Sequence, residues 1–376
     1  MATSLSAIRD ALSCNRITLL LWFSSVFVFI SGCSLLNTDE ERIEVPKAPD
    51  PYAVWLITES EVLDDRTGRD GIPSIDRPGF NPAAFSAYLD QHRRVIGINI
   101  NGDLRAYPHQ ILDWHEVVND EVGGRPVAIT LSPHSGSSIA WDRSNSGFAT
   151  EFGVAGLMFR NNVILYDRQT ESYWPQMRMG AVTGSRINQP AETYMVVETS
   201  LENWRNMYPN SQILNTSTGY ARSYEGYAYG YNYDTDDLQV IYPITHIDNR
   251  LPRKTRLHGI LKQQPALDDV SARLYKIEDF GEGISLITDR IGTKEFILAG
   301  STSYDFVSAL SGHSAMEACS ILNLCRTPSR LFSPTTKVIS GISSDTLSKD
   351  PARENALCRR WPTPPISLHG PITFPV

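Results

Sequence analysis

The apolar and polar positions along the chain alternate in short runs. Val95-Ile96-Gly97-Ile98-Asn99-Ile100 and Asp103-Leu104-Arg105-Ala106-Tyr107 flank Asn101-Gly102, a pair that tolerates positive φ, and so predict a β-hairpin. Val127 to Leu131, Ser138 to Asp142 and Val163 to Tyr166 read as further strands. Gln110 to Asn119 fits a short helix that closes at Gly123-Gly124, and a second helix is predicted over Leu201 to Met207, stopped near Pro209. Gly153-Val154-Ala155-Gly156 reads as a turn. Strands separated by Gly and Pro turns, with few helices, predict a mainly β or α+β architecture: one β-rich domain with a few short helices and a poorly ordered C-terminal tail. Long helices do not alternate with strands and no Gly-rich phosphate loop appears, which argues against a doubly wound nucleotide fold.

The two ends differ from this body. Arg9 and Arg16 precede an uncharged apolar run from Ile17 to Ile30, followed by Ser31-Gly32-Cys33. A basic segment, a short apolar segment and small residues before a cut site describe a secretory signal. The run is shorter than the roughly 20 residues a spanning helix needs. The Ser-Gly-Cys ending looks like a bacterial lipobox, so Cys33 is expected to carry diacylglycerol and become the first mature residue. Ser34 follows it, where Asp would favour inner-membrane retention. The expected location is the cell envelope, lipid-anchored, on the outer membrane facing the periplasm if the host is Gram-negative. Residues 1–33 are thus read as signal peptide with lipobox, 34–51 as a polar tether containing Pro46 and Pro49, and 52–306 as the domain. All 16 tyrosines lie between Tyr52 and Tyr304. Residues 307–376 are rich in Ser, Pro and Thr, and read either as a divergent, poorly ordered tail or as the product of a frame change after Leu310.

Composition narrows the class. A chain of 376 residues with 41% hydrophobic and 20% charged residues can fill one large domain or two smaller ones. A formal charge of -8, with no long basic run, argues against a nucleic-acid partner. Cys14 and Cys33 belong to the signal and Cys319, Cys325 and Cys358 to the last part of the chain, so disulfides do not hold the body together.

Candidate chemistry is concentrated between Ala106 and Gly136. Three histidines there, His109, His115 and His134, form a candidate metal set for zinc or copper. Imidazole is also the usual general base near neutral pH. His115 and Glu116, with Asp167, Arg168 and Glu171 downstream, form the candidate catalytic set. Adjacent helix residues point about 100° apart, so His115 and Glu116 cannot both aim squarely at one atom from a helix. Asp167, Arg168 and Glu171 also suit a buried charge lock. The Tyr- and Gly-rich stretch from Tyr220 to Tyr242 is either a platform for sugars or peptides or a set of strand edges. Asn232, Asp234, Asp236 and Asp237 resemble a calcium loop only loosely, since the Gly and closing Glu are not in place.

Several of these motifs occur in a recognisable order: Asp70-Gly71-Ile72-Pro73, Ala106-Tyr107-Pro108, Trp114-His115-Glu116, Val118-Asn119-Asp120, Gly123-Gly124-Arg125-Pro126-Val127, and Tyr166 through Trp174. In this order the chain resembles the bacterial and archaeal domain of unknown function 3179 family, over residues 66 to 304. Relatives carry Cys-Pro-x-Cys-Gly where this chain has Ser132-Pro133-His134-Ser135-Gly136, so the thiol chemistry open to them is not open here. They also continue with a second Asp-Arg-x-Thr-x-Ser-x-Trp motif, absent here. The resemblance implies an architecture and candidate residues but no activity. The resulting expectation is an envelope lipoprotein whose domain binds a ligand, a protein or small-molecule partner, or a metal, without demonstrable catalysis. The alternative is a metal-dependent oxidoreductase or hydrolase built on His115, Glu116, His134 and the Asp167 to Glu171 motif. The segments Trp114 to Gly136 and Tyr166 to Trp174 are expected to pack around one polar cluster, with Arg168 beside Asp167 or Glu171.

Overall fold

The computed structural model describes residues 54–144, 149–244, 247–262 and 271–311. The segments read above as signal and tether, with Cys33, and the stretch beyond 311 lie outside these residues. Among the described residues no helix is long and apolar enough to cross a membrane.

The chain is strand-rich, as its alternation requires. β1 (Val62–Asp64) and β2 (Phe80–Pro82) precede the hairpin β3 (Arg94–Ile100) and β4 (Asp103–Pro108). A one-turn helix α1 (His109–Leu112) leads to β5 (Val117–Val122), β6 (Arg125–Ser132) and β7 (Ser137–Asp142). Then come β8 (Phe152–Phe159), β9 (Asn162–Asp167), β10 (Tyr173–Pro175), β11 (Thr193–Tyr194), β12 (Val197–Ser200), helix α2 (Leu201–Met207) and β13 (Gln212–Leu214). Five more strands close the described chain: β14 (Leu257–Lys262), β15 (Ser271–Lys276), β16 (Ser285–Ile291), β17 (Lys294–Ser301) and β18 (Phe306–Ser311). β18 therefore runs into the stretch that the sequence assigned to the tail. Phe306, Val307 and Ala309 are buried there, a strand that composition alone conceals.

The expected helix over Gln110 to Asn119 is not formed beyond Leu112. Val117, Val118 and Val122 favour an extended backbone, and the polar residues between them find partners in the sheet. The Asn119 amide bonds the Phe152 backbone in both directions, at 2.8 and 2.9 Å. Asp120 accepts from Arg105 at 2.8 Å and from the Tyr107 hydroxyl at 2.6 Å. Gly123-Gly124 is consequently a two-residue hairpin turn rather than a helix end, with φ of 54° and 76°. A Cβ at Gly123 would stand 2.1 Å from the Ile100 carbonyl oxygen. Gly153 to Gly156 is likewise not a turn: it lies within β8, whose register shifts between Val154 and Leu157. The Asn101-Gly102 hairpin and α2 form as expected. Ser200 caps α2 by accepting from the Asn203 amide at 3.1 Å.

Three sheets stack in layers. The central one has the order β11-β7-β6-β5 and is buried on both faces. Val118, Val122, Val127, Ile129 and Leu131 pack with Ile96, Ile98, Ile100 and Tyr107 of the sheet β12-β3-β4-β13-β2. The alternate residues Val117, Ala128, Ile139 and Trp141 pack with Phe152, Val154, Leu165 and Trp174 of the sheet β1-β8-β9-β10. Period-two alternation along β5 to β7 thus feeds two separate cores. Beyond the first of these sheets, α2 and β17–β18 cover Val95, Ala106 and Ile213.

Candidate functional site

The motif residues leave the central sheet at its α1–β5 and β6–β7 turns. After α1 the chain turns back, and Glu116 takes φ 58°, a left-handed conformation costly for a residue with a Cβ. Its amide reaches the Leu112 carbonyl at 2.7 Å and its carbonyl accepts from Leu131 at 2.8 Å. This turn, not a helix, separates the side chains of His115 and Glu116.

His115 is fully buried. Its Nδ1 lies 2.8 Å from the Pro73 carbonyl oxygen, which can only accept, so Nδ1 carries the proton and Nε2 accepts. The Tyr224 hydroxyl donates to Nε2 at 2.7 Å and in turn accepts from Thr218 at 2.5 Å. Burial lowers the His115 pKa, in keeping with the neutral ring.

Glu116 faces elsewhere. It is 2% exposed, the Tyr229 hydroxyl donates to its Oε1 at 3.3 Å, and its Oε2 has no hydrogen-bond partner among the described residues. Burial, with the charges of Asp65 and Asp113 adding, pushes this carboxyl up to about 8. Tyr229 also stands edge-on to His134, ring centroids 4.7 Å apart, and Tyr242 and Tyr233 complete the walls at 5.0 and 6.2 Å. Burial pushes the His134 imidazole down to about 4, against the pull of Asp65 and with the nearby Lys254 ammonium assisting. At neutral pH the carboxyl holds its proton and the imidazole does not, the reverse of their ordinary order.

Residues 220–242 pass over these groups without a strand or helix. Side chains pin the segment down. Arg93 stacks on Tyr227 at 4.5 Å and donates to the Gly226 carbonyl at 3.4 Å. Arg94 pairs with Asp234 at 2.9 Å, and Asn161 donates to the Tyr242 carbonyl at 3.1 Å. The segment is a cover rather than a set of strand edges. Its loop acids are engaged: Asp234 by Arg94, and Asp237 by the Lys254 amide at 2.7 Å.

His109 belongs to a different cluster. Its Nε2 meets Glu198 Oε1 at 2.6 Å, and Ser138 donates to the same oxygen at 2.8 Å. Ser138 lies 3.5 Å from the same imidazole nitrogen, so serine and acid compete for one nitrogen and no nucleophile–base–acid relay results. The three histidines therefore occupy three separate hydrogen-bond environments. Among the described residues no group of three His, Cys, Asp or Glu side chains is placed to hold a metal ion.

The Tyr166–Trp174 motif does not join the Glu116 site directly. Asp167 is saturated by its own turn: Thr170 donates twice at 2.7 Å and the Trp174 indole once at 3.0 Å. Arg168, one residue on, points the other way and pairs with Asp70 at 2.8 Å, not with Asp167 or Glu171 as expected. It also bonds Ser74 and the Tyr166 hydroxyl. Glu171 is exposed and faces Arg69 at 3.3 Å. The two motifs instead share the Asp70–Asp76 segment, whose Pro73 holds His115, Asp70 holds Arg168, and Asp76 accepts from Asn119 at 2.7 Å.

Ser132 and Ser135 lie at the β6–β7 turn. Ser132 accepts from the Val163 amide at 3.2 Å. Ser135 bonds Ser137 at 2.8 Å and accepts from Asn162 at 3.1 Å, while Gln176 joins Ser137 and Asn162 at 2.7 and 2.8 Å. Every polar group of this bed has a partner, which is the work of a turn lock.

Residues 69–343 match the family described as Protein of unknown function (DUF3179). The chain belongs to the DUF3179 family. The match begins at Arg69, beside the segment that joins the two motifs, and continues past 311. No curated protein and no solved structure matches the chain. Glu198, Tyr229 and Lys254 were missed by motif reading, because each acts through a partner distant in sequence. The Tyr spacing in 220–242 was the one available signal for Tyr229.

Proposed function

We propose that this DUF3179 member is a lipid-anchored envelope protein whose β-rich domain binds a small ligand at the recess around Glu116 and His134, under the 220–242 cover. The observation that carries this reading is Glu116 Oε2: a deeply buried oxygen without a hydrogen bond costs folding energy unless it serves a ligand. The tyrosine walls supply apolar surface, and the few polar groups fix orientation. Anchoring rests on the lipobox: Cys33→Ser should abolish acyl labelling and release the protein from membranes, and an unlabelled wild type starting at Met1 would refute it. The site is tested by ligand-induced thermal shifts across small sugars, amino acids, polyols and amines. A compound that stabilises wild type but neither Glu116→Gln nor His134→Ala supports the recess. Equal shifts in all three proteins would place binding elsewhere.

A second reading, proton-transfer catalysis, draws on the inverted proton affinities of Glu116 and His134. It needs no metal, and would show as turnover lost in both variants.

A further inference from the structure

The aromatic cluster beside His134 already holds a cation. Lys254 Nζ lies 3.7 Å from the centroid of Tyr233, well inside cation–π range. Tyr233 is buried and stands against both His134 and Tyr229, with ring centroids 6.2 and 5.7 Å away. Among the described residues no carboxylate forms an ion pair with Nζ. Asp234, Asp236 and Asp237 act on it from further away, and Asp234 is committed to Arg94. The ring face, rather than a salt bridge, is what receives this ammonium.

The opposite end of the recess is acidic and incomplete. Among the described residues Glu116 Oε2 lacks a partner, and Glu116 also feels the charges of Asp65 and Asp113. Asp113 is paired with Arg93, but among the described residues the Asp65 carboxylate accepts only from the amide and hydroxyl of Thr67. A cationic donor arriving at Oε2 displaces the carboxyl proton to solvent and meets a carboxylate acceptor in a field that favours positive charge. Tyr229 links the two ends: its ring meets those of Tyr233 and His134 and its hydroxyl donates to Glu116.

Resting on the ligand-binding reading above, we propose that this recess takes an amine: an alkylammonium head on the Tyr233 face in place of Lys254, and a second hydrogen-bond donor at Glu116. Diamines and amino alcohols have this pattern. Lys254 is then a resident cation that holds the ring face until the ligand displaces it. A cation–π contact at a partly exposed position is worth only a factor of a few in binding, so displacement is feasible.

The test uses the full-length protein, putrescine as the diamine probe, and butanediol as its neutral isostere, at matched ionic strength. Binding is followed by calorimetry and by the ring resonances of His134. Putrescine should bind wild type saturably and shift the His134 signals. Lys254→Ala should tighten it about fourfold, and Lys254→Met, which keeps the stem packing, should do the same. Glu116→Gln should weaken it about tenfold. Butanediol should bind far more weakly than putrescine throughout. If butanediol binds as well as putrescine, and both need Glu116, the recess binds ligands but has no cation preference, and the amine inference alone falls. If Lys254→Ala leaves putrescine affinity unchanged or weaker, the resident-cation role falls. If neither probe binds any variant, the amine inference falls while the broader thermal-shift screen still judges the recess.

Discussion

Glu116 and Glu198 are the same residue type at the same burial, each 2% exposed, and they are provided for in opposite ways. Glu198 sits between His109, at 2.6 Å, and Arg256, at 3.5 Å, with Ser138 donating to it. Burial alone would raise its pKa, but the charges of His109, Arg256 and Arg94 outweigh it and hold the carboxyl below the usual range. Glu116 has one tyrosine hydroxyl and an unmet oxygen, and its pKa moves up. A buried carboxylate ringed by cations is a lock; here it ties α1 and β12 to the Arg256 and Asp305 region near β14 and β18. A buried carboxyl left short of partners is a site. Burial does not distinguish the two; partner count does.

Removing the lock should give the largest effect. Glu198→Ala leaves His109 and Arg256 buried without their acid and should cost about 3–5 kcal/mol in urea unfolding. Because the folded pKa is depressed, this stabilisation is present above the ordinary carboxylate pKa and is lost as pH falls through the folded value. A loss below about 1 kcal/mol would erase the contrast.

Glu116→Gln should act with the opposite sign. The unfolded side chain ionises near 4.5, whereas the folded one keeps its proton until about 8. Between these values the folded state binds more protons, so wild-type stability falls as pH rises. Glutamine removes that slope and should gain about 2–4 kcal/mol at pH 8 and less than about 1 kcal/mol at pH 5. Parallel stability curves for wild type and variant from pH 5 to 8 would show that Glu116 is not held neutral.

The His134 ring sharpens the comparison at lower pH. Its folded pKa, about 4, lies below the ordinary 6.5, so its contribution is complete above 6.5 and is lost as pH falls toward 4. By NMR the ring should stay neutral at pH 5.5, with an effect on stability of about 1 kcal/mol. A midpoint near 6.5 would mean that the 220–242 cover does not shield it. The smallest effect belongs to Glu171, whose pairing with Arg69 is exposed. Glu171→Ala should change stability by less than about 0.5 kcal/mol, and a larger loss would make this ion pair part of the lock.

Much of the architecture could be read from local pattern. The 101–102 and 123–124 hairpins both obey two-residue turn chemistry, but Gly123-Gly124 resembles a helix end because Gln110 to Asn119 has helix-compatible polar spacing. What decided for a strand was tertiary: Asn119 and Asp120 find partners in β8 and β4 that no local window contains. At the site, His115, Glu116 and His134 stand out in the sequence as unusual, yet motif spacing implied a convergence that the left-handed turn at Glu116 breaks. Arg168 was assigned neighbours within its own motif, while its partner Asp70 lies almost a hundred residues away. Short-range sequence gives the turns, and charge partners across sheets must come from the fold.

The bed of hydroxyls and amides under the β6–β7 turn carries a further consequence. Thiols at positions 132 and 135 would give the hairpin an oxidation state, and with it a dependence on reductants, peroxide and disulfide exchange. Ser132 and Ser135 have none, and no cysteine occurs between Ser34 and Ala318. No disulfide can therefore form within residues 34–318, in reducing or oxidising surroundings alike. That stretch should reach its native state without oxidative folding helpers, and the β6–β7 turn should be indifferent to thiol oxidants.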